Sequence, residues 1–290
     1  MFKNICLYCQ TMTGILGFIL FCTSPESLAL GSSAPVAKIA LCTGNVQIPK
    51  KRDDLSMQTD LMPGDELITS GNPDSRCRIN YSSGSSVDVG SDTKIKFHDN
   101  QGLSLLQGQI VAYAMPSSNL AEQAIILKTD AGKLKLSMGK IFASVDAKKQ
   151  QIAIFNDLVA AMWNDKNGES KLYPGNLINH ASGSVEITQT PRSVETEMSE
   201  RASPEVPAVR LATLAFKNRD FNTARRLFTQ IQQVYPYNAA SAYHLGLFDL
   251  KDNRVPEAVE QWRKYVEIDP EGAKANGVTK QLSLMNAHYI

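Results

Sequence analysis

Charge of one sign is what this sequence most plainly lacks. Thirty Lys and Arg stand against 29 Asp and Glu, a formal net charge of +1, and the bases are spread along the chain instead of forming a block. Without a basic block there is no electrostatic footprint for a phosphate backbone, so nucleic acid is not an expected partner. Chemical signatures are missing too. His98, His180, His244 and His288 have no Glu or Cys at metal-ligand spacing. The run Ser82-Ser83-Gly84-Ser85-Ser86 contains no nucleophile elbow and reads as a hairpin turn. No glycine-rich phosphate loop precedes a helix. These absences predict no metal, no cofactor and no catalytic residue, and Trp163 and Trp262 read as packing residues.

Long hydrophobic runs are also scarce. The notable one, "TGILGFILFC" (13–22), follows Lys3 and precedes Ser27-Leu28-Ala29. That is the pattern of a secretory signal peptide over residues 1–29, cleaved after Ala29 or, at a second possible site, after Gly31. The alternative is an uncleaved anchor, although the run falls short of the ~20 residues that span a bilayer. Bulky Phe21 before Cys22 argues against lipid attachment. Of five cysteines, Cys6, Cys9 and Cys22 leave with the signal, so Cys42 and Cys77 remain. In an oxidising compartment that pair predicts a disulfide, with two separate buried thiols as the alternative.

What is present divides into two textures. Over 34–188 short apolar runs such as "KIKF", "GQIVAYA", "AIILKT", "GKIFASV" and "QIAIF" are separated by turn formers, which predicts an all-β domain. Residues 189–204 are polar and proline-bearing and read as a linker. From Glu205 to Ile290 the apolar period becomes helical. The fold class is therefore α+β by segregated domains.

Within the helical part, Ala224 matches Ala258, Phe228 matches Trp262 and Pro236 matches Pro270, each 34 residues apart, and Leu211-Ala212 falls on Leu245-Gly246. This resembles the tetratricopeptide repeat, with repeats over 205–238 and 239–272 and a last helix capping the open end. Asp249 and Ala215 depart from the family's Tyr, and Tyr265 and Ile231 from its small residue. The resemblance implies an α-helical solenoid whose first helices line a peptide-binding groove. On this chain the groove residues are Val209, Thr213, Phe216 and Lys217 beside Tyr243, Leu247, Leu250 and Lys251. An extended or helical peptide carrying an acid would suit them.

A second set of motifs runs through the β part: Gly44-Asn45-Val46, "LMPGDELIT" (61–69), "GSSVDV" (84–89), "LLQGQIVA" (105–112) and "ILKTDA" (126–131). Together these resemble the FecR domain, with Asn156-Asp157 a departure from its usual glycine turn. The resemblance implies a twisted, solenoid-like β domain of the periplasm without catalysis, binding a wall polymer or envelope protein. The early apolar run leaves no room for the cytoplasmic helical domain of sigma-factor regulators, so the chain looks like an exported sensor domain alone.

Asp65 and Glu66 are the acids most open to a catalytic reading. Pro63-Gly64-Asp65 reads instead as a turn, and neighbouring acids on a strand point to opposite faces. The expected function is thus a non-enzymatic, exported scaffold or adaptor. The alternatives are a wall-modifying enzyme drawing on acids such as Asp88 and Asp130, and a component of a cell-surface signalling system.

Overall fold

The structure is a computed structural model, and it describes residues 34–51, 58–99, 101–115, 124–146, 149–154, 161–173, 175–181, 184–189 and 200–288. The expected signal segment, and residues 190–199 of the expected linker, lie outside the described residues. A large β region is followed by C-terminal helices.

Among the described residues sixteen strands form two sheets that share one long strand. The first sheet runs β3 (Asp60–Leu61), β1 (Ala37–Thr43), β5 (Arg76–Tyr81), β6 (Ser86–Val89), β8 (Gly102–Ala114), β11 (Gly139–Val145), β12 (Lys149–Ile154), β15 (Asn176–Ala181) and β16 (Ser184–Gln189). The second runs β2 (Val46–Gln47), β4 (Glu66–Thr69), β7 (Lys94–Phe97), β8, β9 (Ile125–Thr129), β10 (Gly132–Leu136), β13 (Ala161–Asp165) and β14 (Gly168–Leu172). The β8–β9 pair is parallel and the other pairs are antiparallel. After β8 the chain lays hairpins alternately into the two sheets, β9–β10 and β13–β14 in the second, β11–β12 and β15–β16 in the first.

Gly108 is where β8 passes from one sheet to the other. Its φ is +88°, and a Cβ there would meet the backbone of Asp92 and Thr93, so both conformation and space demand glycine. Strand alternation turns Leu67, Ile79, Ile95, Phe97, Ile141 and Trp163 into the core between the sheets, all at most 1% exposed.

β1 departs from strict alternation. Its register against β5 slips between Ile39 and Leu41, the mark of a β-bulge. A one-residue slip exchanges the faces. Leu41 accordingly turns outward to pack with helical residues, while Cys42 turns toward the core opposite Cys77. The Cys42 and Cys77 Cα atoms are 4.1 Å apart and their sulfurs are joined.

Residues 200–202 are helical, and after them the described residues form α1 (Glu205–Lys217), α2 (Phe221–Val234), α3 (Ala239–Lys251), α4 (Val255–Ile268), α5 (Pro270–Ala275) and α6 (Val278–His288). The bounds of α3 and α4 repeat those of α1 and α2 at an offset of 34 residues, Glu205 to Ala239 and Phe221 to Val255. The turns repeat as well. Arg219 and Asn253 hold matching positive φ of 64° and 60°, and the following amides bond back to Ala215 and Asp249. Asp220, Asn238 and Asp269 cap α2, α3 and α5 by accepting from Thr223, Ser241 and Gly272 amides.

Each hairpin is locked by a small residue facing an aromatic one. Ala212 is buried with Phe228 in the first, and Gly246 lies against Trp262 in the second. The larger ring is matched by the smaller partner, which keeps packed volume nearly constant. No helix among the described residues is long and apolar enough to cross a membrane.

Candidate interaction surface

The helices are seated on the first sheet by a polar and aromatic contact. Arg78 of β5 and Asp88 of β6 form two hydrogen bonds, 2.6 and 2.8 Å, with the guanidinium 4.5 Å from the Tyr235 ring centroid and 5.3 Å from that of Tyr113. Burial pushes the Asp88 carboxyl above the usual carboxylate range, opposed by the charge of Arg78. Burial also raises the Tyr113 phenol to about 12. Nearby, Arg76 donates to the Glu200 and Ser203 carbonyls, and Arg210 of α1 pairs with Asp74 at 3.0 Å. Ala202 is fully buried against Val111 and Phe142. The last residues of the expected linker therefore pack on the sheet, because apolar Ala202 and two backbone carbonyls find partners there.

The eight residues expected to line a groove do not form one free row. Val209 and Phe216 pack against the cluster of α1, α2 and α3. The Phe216 ring lies 4.6 Å from His244, 5.6 Å from Phe221 and 5.7 Å from Phe248, centroid to centroid. Tyr243, Leu247 and Leu250 pack instead against a second cluster that includes Trp262, Tyr265 and Val278. The Lys251 ammonium sits 3.9 Å over the Phe221 ring centroid. Thr213 is half-buried and Lys217 is exposed. Hairpin packing thus engages most of the side chains that the repeat frame assigned to a ligand.

A different apolar surface emerges on α1. Val206, Leu211 and Leu214 are 59%, 41% and 53% exposed. Their counterparts one repeat later are Ala240, Leu245 and Phe248, and these pack into the first cluster, Leu245 at 8% and Phe248 at 2% exposure. The second hairpin buries this face against the first; among the described residues nothing comparable covers it on α1. The 34-residue offset contained this information, since it pairs the three positions. What it does not show by itself is which copy is left uncovered. On another side of the array a cleft of about 740 Å³ lies between α2 and α4, lined by residues including Gln232, Tyr237, Lys264 and Ile268.

The acids considered for catalysis are placed otherwise. Gly64 has φ +84° and the Asp65 amide bonds the Met62 carbonyl at 3.0 Å, closing the Pro63-Gly64 turn. The Asp65 carboxylate accepts from the Met62 amide at 2.9 Å and pairs with Lys51 at 3.0 Å, while Glu66 pairs with Lys94 at 3.0 Å. Asp88 is engaged by Arg78. His98 is 2.7 Å from the Ser104 hydroxyl. His244 stacks on Phe228 at 4.4 Å, and burial lowers its pKa to about 4. Among the described residues no three His, Cys, Asp or Glu side chains are grouped to hold a metal ion.

No family model matches the chain, and no curated protein matches it. Two crystal structures of a candidate anti-sigma factor from Parabacteroides distasonis ATCC 8503 align with it at a TM-score of 0.38 and at 11% and 13% identity. Each alignment covers 45% of this chain and 62% of that protein, so the chain spans less than two thirds of its length. A likeness at this level decides nothing about activity.

Proposed function

We propose that this chain is a non-enzymatic adaptor of the cell envelope, an exported FecR-like β domain carrying two tetratricopeptide-type repeats that hold a protein partner. The alternation of hairpins between two sheets supports the twisted, solenoid-like reading of the β domain. The 34-residue repetition of helix bounds, turns and small-to-aromatic pairs supports the repeat reading. Export is supported by the leading sequence pattern and by the Cys42–Cys77 bond, which suits an oxidising compartment.

The observation that carries the adaptor role is the open face of α1. Three large apolar side chains are exposed at positions that the second hairpin buries. Large apolar side chains exposed together on one helix in this way mark a surface made to be covered. The partner it fits is an amphipathic helix or helical hairpin, which would repeat the packing that the first hairpin gives the second.

Cross-linking in the intact envelope, followed by recovery of the tagged chain, tests this. Leu211→Asp combined with Leu214→Asp should abolish recovery of the partner while leaving the unfolding midpoint nearly unchanged, as for exposed positions generally. Undiminished recovery of the same partner by the folded double variant would overturn the reading.

A further inference from the structure

The outer face of the second sheet collects lysines that are scattered in the sequence. Lys96, Lys128, Lys133, Lys135 and Lys171 come from β7, β9, β10 and β14, and alternation turns all five away from the core. The strand registers place them in two rows. One runs Lys96, Ser104, Lys128, Lys133, Asn164 and ends on the exposed acid Glu169. The other runs Ile126, Lys135, Met162, Lys171. Lys128 and Lys133 are direct cross-strand partners, an arrangement of like charges that works against sheet stability. Glu66 at the edge of the first row is engaged by Lys94, and among the described residues Lys96, Lys128, Lys133 and Lys135 have no ion pair. Partial burial and the fields of Lys128 and Lys96 hold the His98 imidazole below its ordinary value, which places His98 within reach of the same cluster.

We infer that this face docks on an anionic lipid surface. Its strands carry the lysines outward in two rows, and a cleft of about 520 Å³ beside Lys128, Lys133 and Asn164 is lined by Asp130 and Asp165 as well. Half-buried Ile126 and Met162 alternate with lysines in the second row; exposed Tyr173 follows Lys171 on β14, and exposed Leu106 lies on β8 beyond the first row, at 57% and 44% exposure. A hydrophilic polyanion has no use for that interleaving. A headgroup layer does: the apolar atoms enter the boundary and the lysine stems extend their ammonium groups to the phosphates. The helices sit on the outer face of the other sheet. Docking therefore leaves the α1 face free, so membrane attachment and partner capture are separate functions of opposite faces and can fail independently.

The test is co-sedimentation of the full chain with vesicles of phosphatidylcholine alone or with about 30 mol% phosphatidylglycerol, at about 0.1 M and about 0.5 M salt. The apolar run at 13–22 contributes a background common to every variant. At the lower salt, binding should be at least about tenfold tighter to the anionic vesicles, and the difference should shrink at the higher salt. Changing Lys96, Lys128, Lys133 and Lys135 together to Gln should remove the preference, changing all four to Arg should keep it, and the single Lys133→Glu should reduce it. Three results would overturn the inference: no preference in the parent, an undiminished preference in the folded Gln variant, or lysine-dependent binding of soluble heparin with none to vesicles.

Discussion

Arg78 and Asp88 face each other across β5 and β6 and form a bidentate pair, with Asp88 wholly buried beneath the helices. The pair lies between Tyr113 of the sheet and Tyr235 at the end of α2, so it belongs to the seat that fixes the helices on the β domain. Removing one partner strands a buried charge. Asp88→Ala or Arg78→Ala should each cost about 3–5 kcal/mol in chemical unfolding, whereas the double change Arg78→Met with Asp88→Leu should cost far less than their sum. Additive losses would show that the two side chains act separately.

Gly246 and Trp262 give a second test, aimed at the repeat. A Cβ on Gly246 would fall inside the van der Waals surface of the indole at Cδ1 and Nε1. Gly246→Ala should therefore destabilise by about 1–3 kcal/mol. Adding Trp262→Phe copies the Ala212 and Phe228 pairing of the first hairpin and should recover most of the loss. Failure of the second change to compensate the first would argue that the hairpins are not packed as equivalents.

His244 makes the helical region sensitive to acid. It is enclosed by Phe216, Phe228 and Tyr243, and its Nδ1 is buried without a protein partner among the described residues. Burial lowers its pKa from 6.5 to about 4, so the unfolded chain takes up the proton first as pH falls. Stability should be complete above about pH 6.5 and decline toward about pH 4. Thermal melts followed at the helical signal should show this decline, and His244→Phe should remove its share of it. An unchanged pH profile in that variant would place the acid sensitivity elsewhere.

Much of the fold was legible because period and punctuation were regular. "KIKF" and "GKIFASV" form β7 and β11, and the matches of Ala224, Phe228 and Pro236 mark helices that recur at the same 34-residue offset. The β1 bulge was not legible, since nothing in "AKIALCT" distinguishes a slipped register from an unslipped one. The repeat frame gives Phe216 a position on the groove side without saying that Phe221, His244 and Phe248 lie against its ring. The lysine face leaves no charge block in the sequence because its members come from separate strands. Lys94-x-Lys96 and Lys133-x-Lys135 were its visible trace, each a pair on one face of a strand.

The Cys42–Cys77 bond closes a loop with a sequence separation of 35. In the chain-entropy model such a closure contributes about 4 kcal/mol. Alkylation of the unfolded, unreduced mature protein should label neither cysteine, and reduction should lower the unfolding midpoint. Two labelled thiols would reject the bond.

Export has a direct readout in mass. Protein recovered from the envelope should begin at Leu30 or Ser32, as the Ser27-Leu28-Ala29 pattern predicts. Retention of residues 1–29 in that fraction would contradict cleavage.

The central claim is that α1 presents its open face to a protein partner in the envelope. A photo-reactive amino acid placed at Leu214, and for comparison at exposed Tyr237 beside the cleft between α2 and α4, tests it most directly in intact cells. The account predicts a discrete cross-linked protein from Leu214, absent when Leu211→Asp is added, and no such product from Tyr237. Cross-links from Tyr237 alone, or none from Leu214 in correctly folded protein, would contradict it.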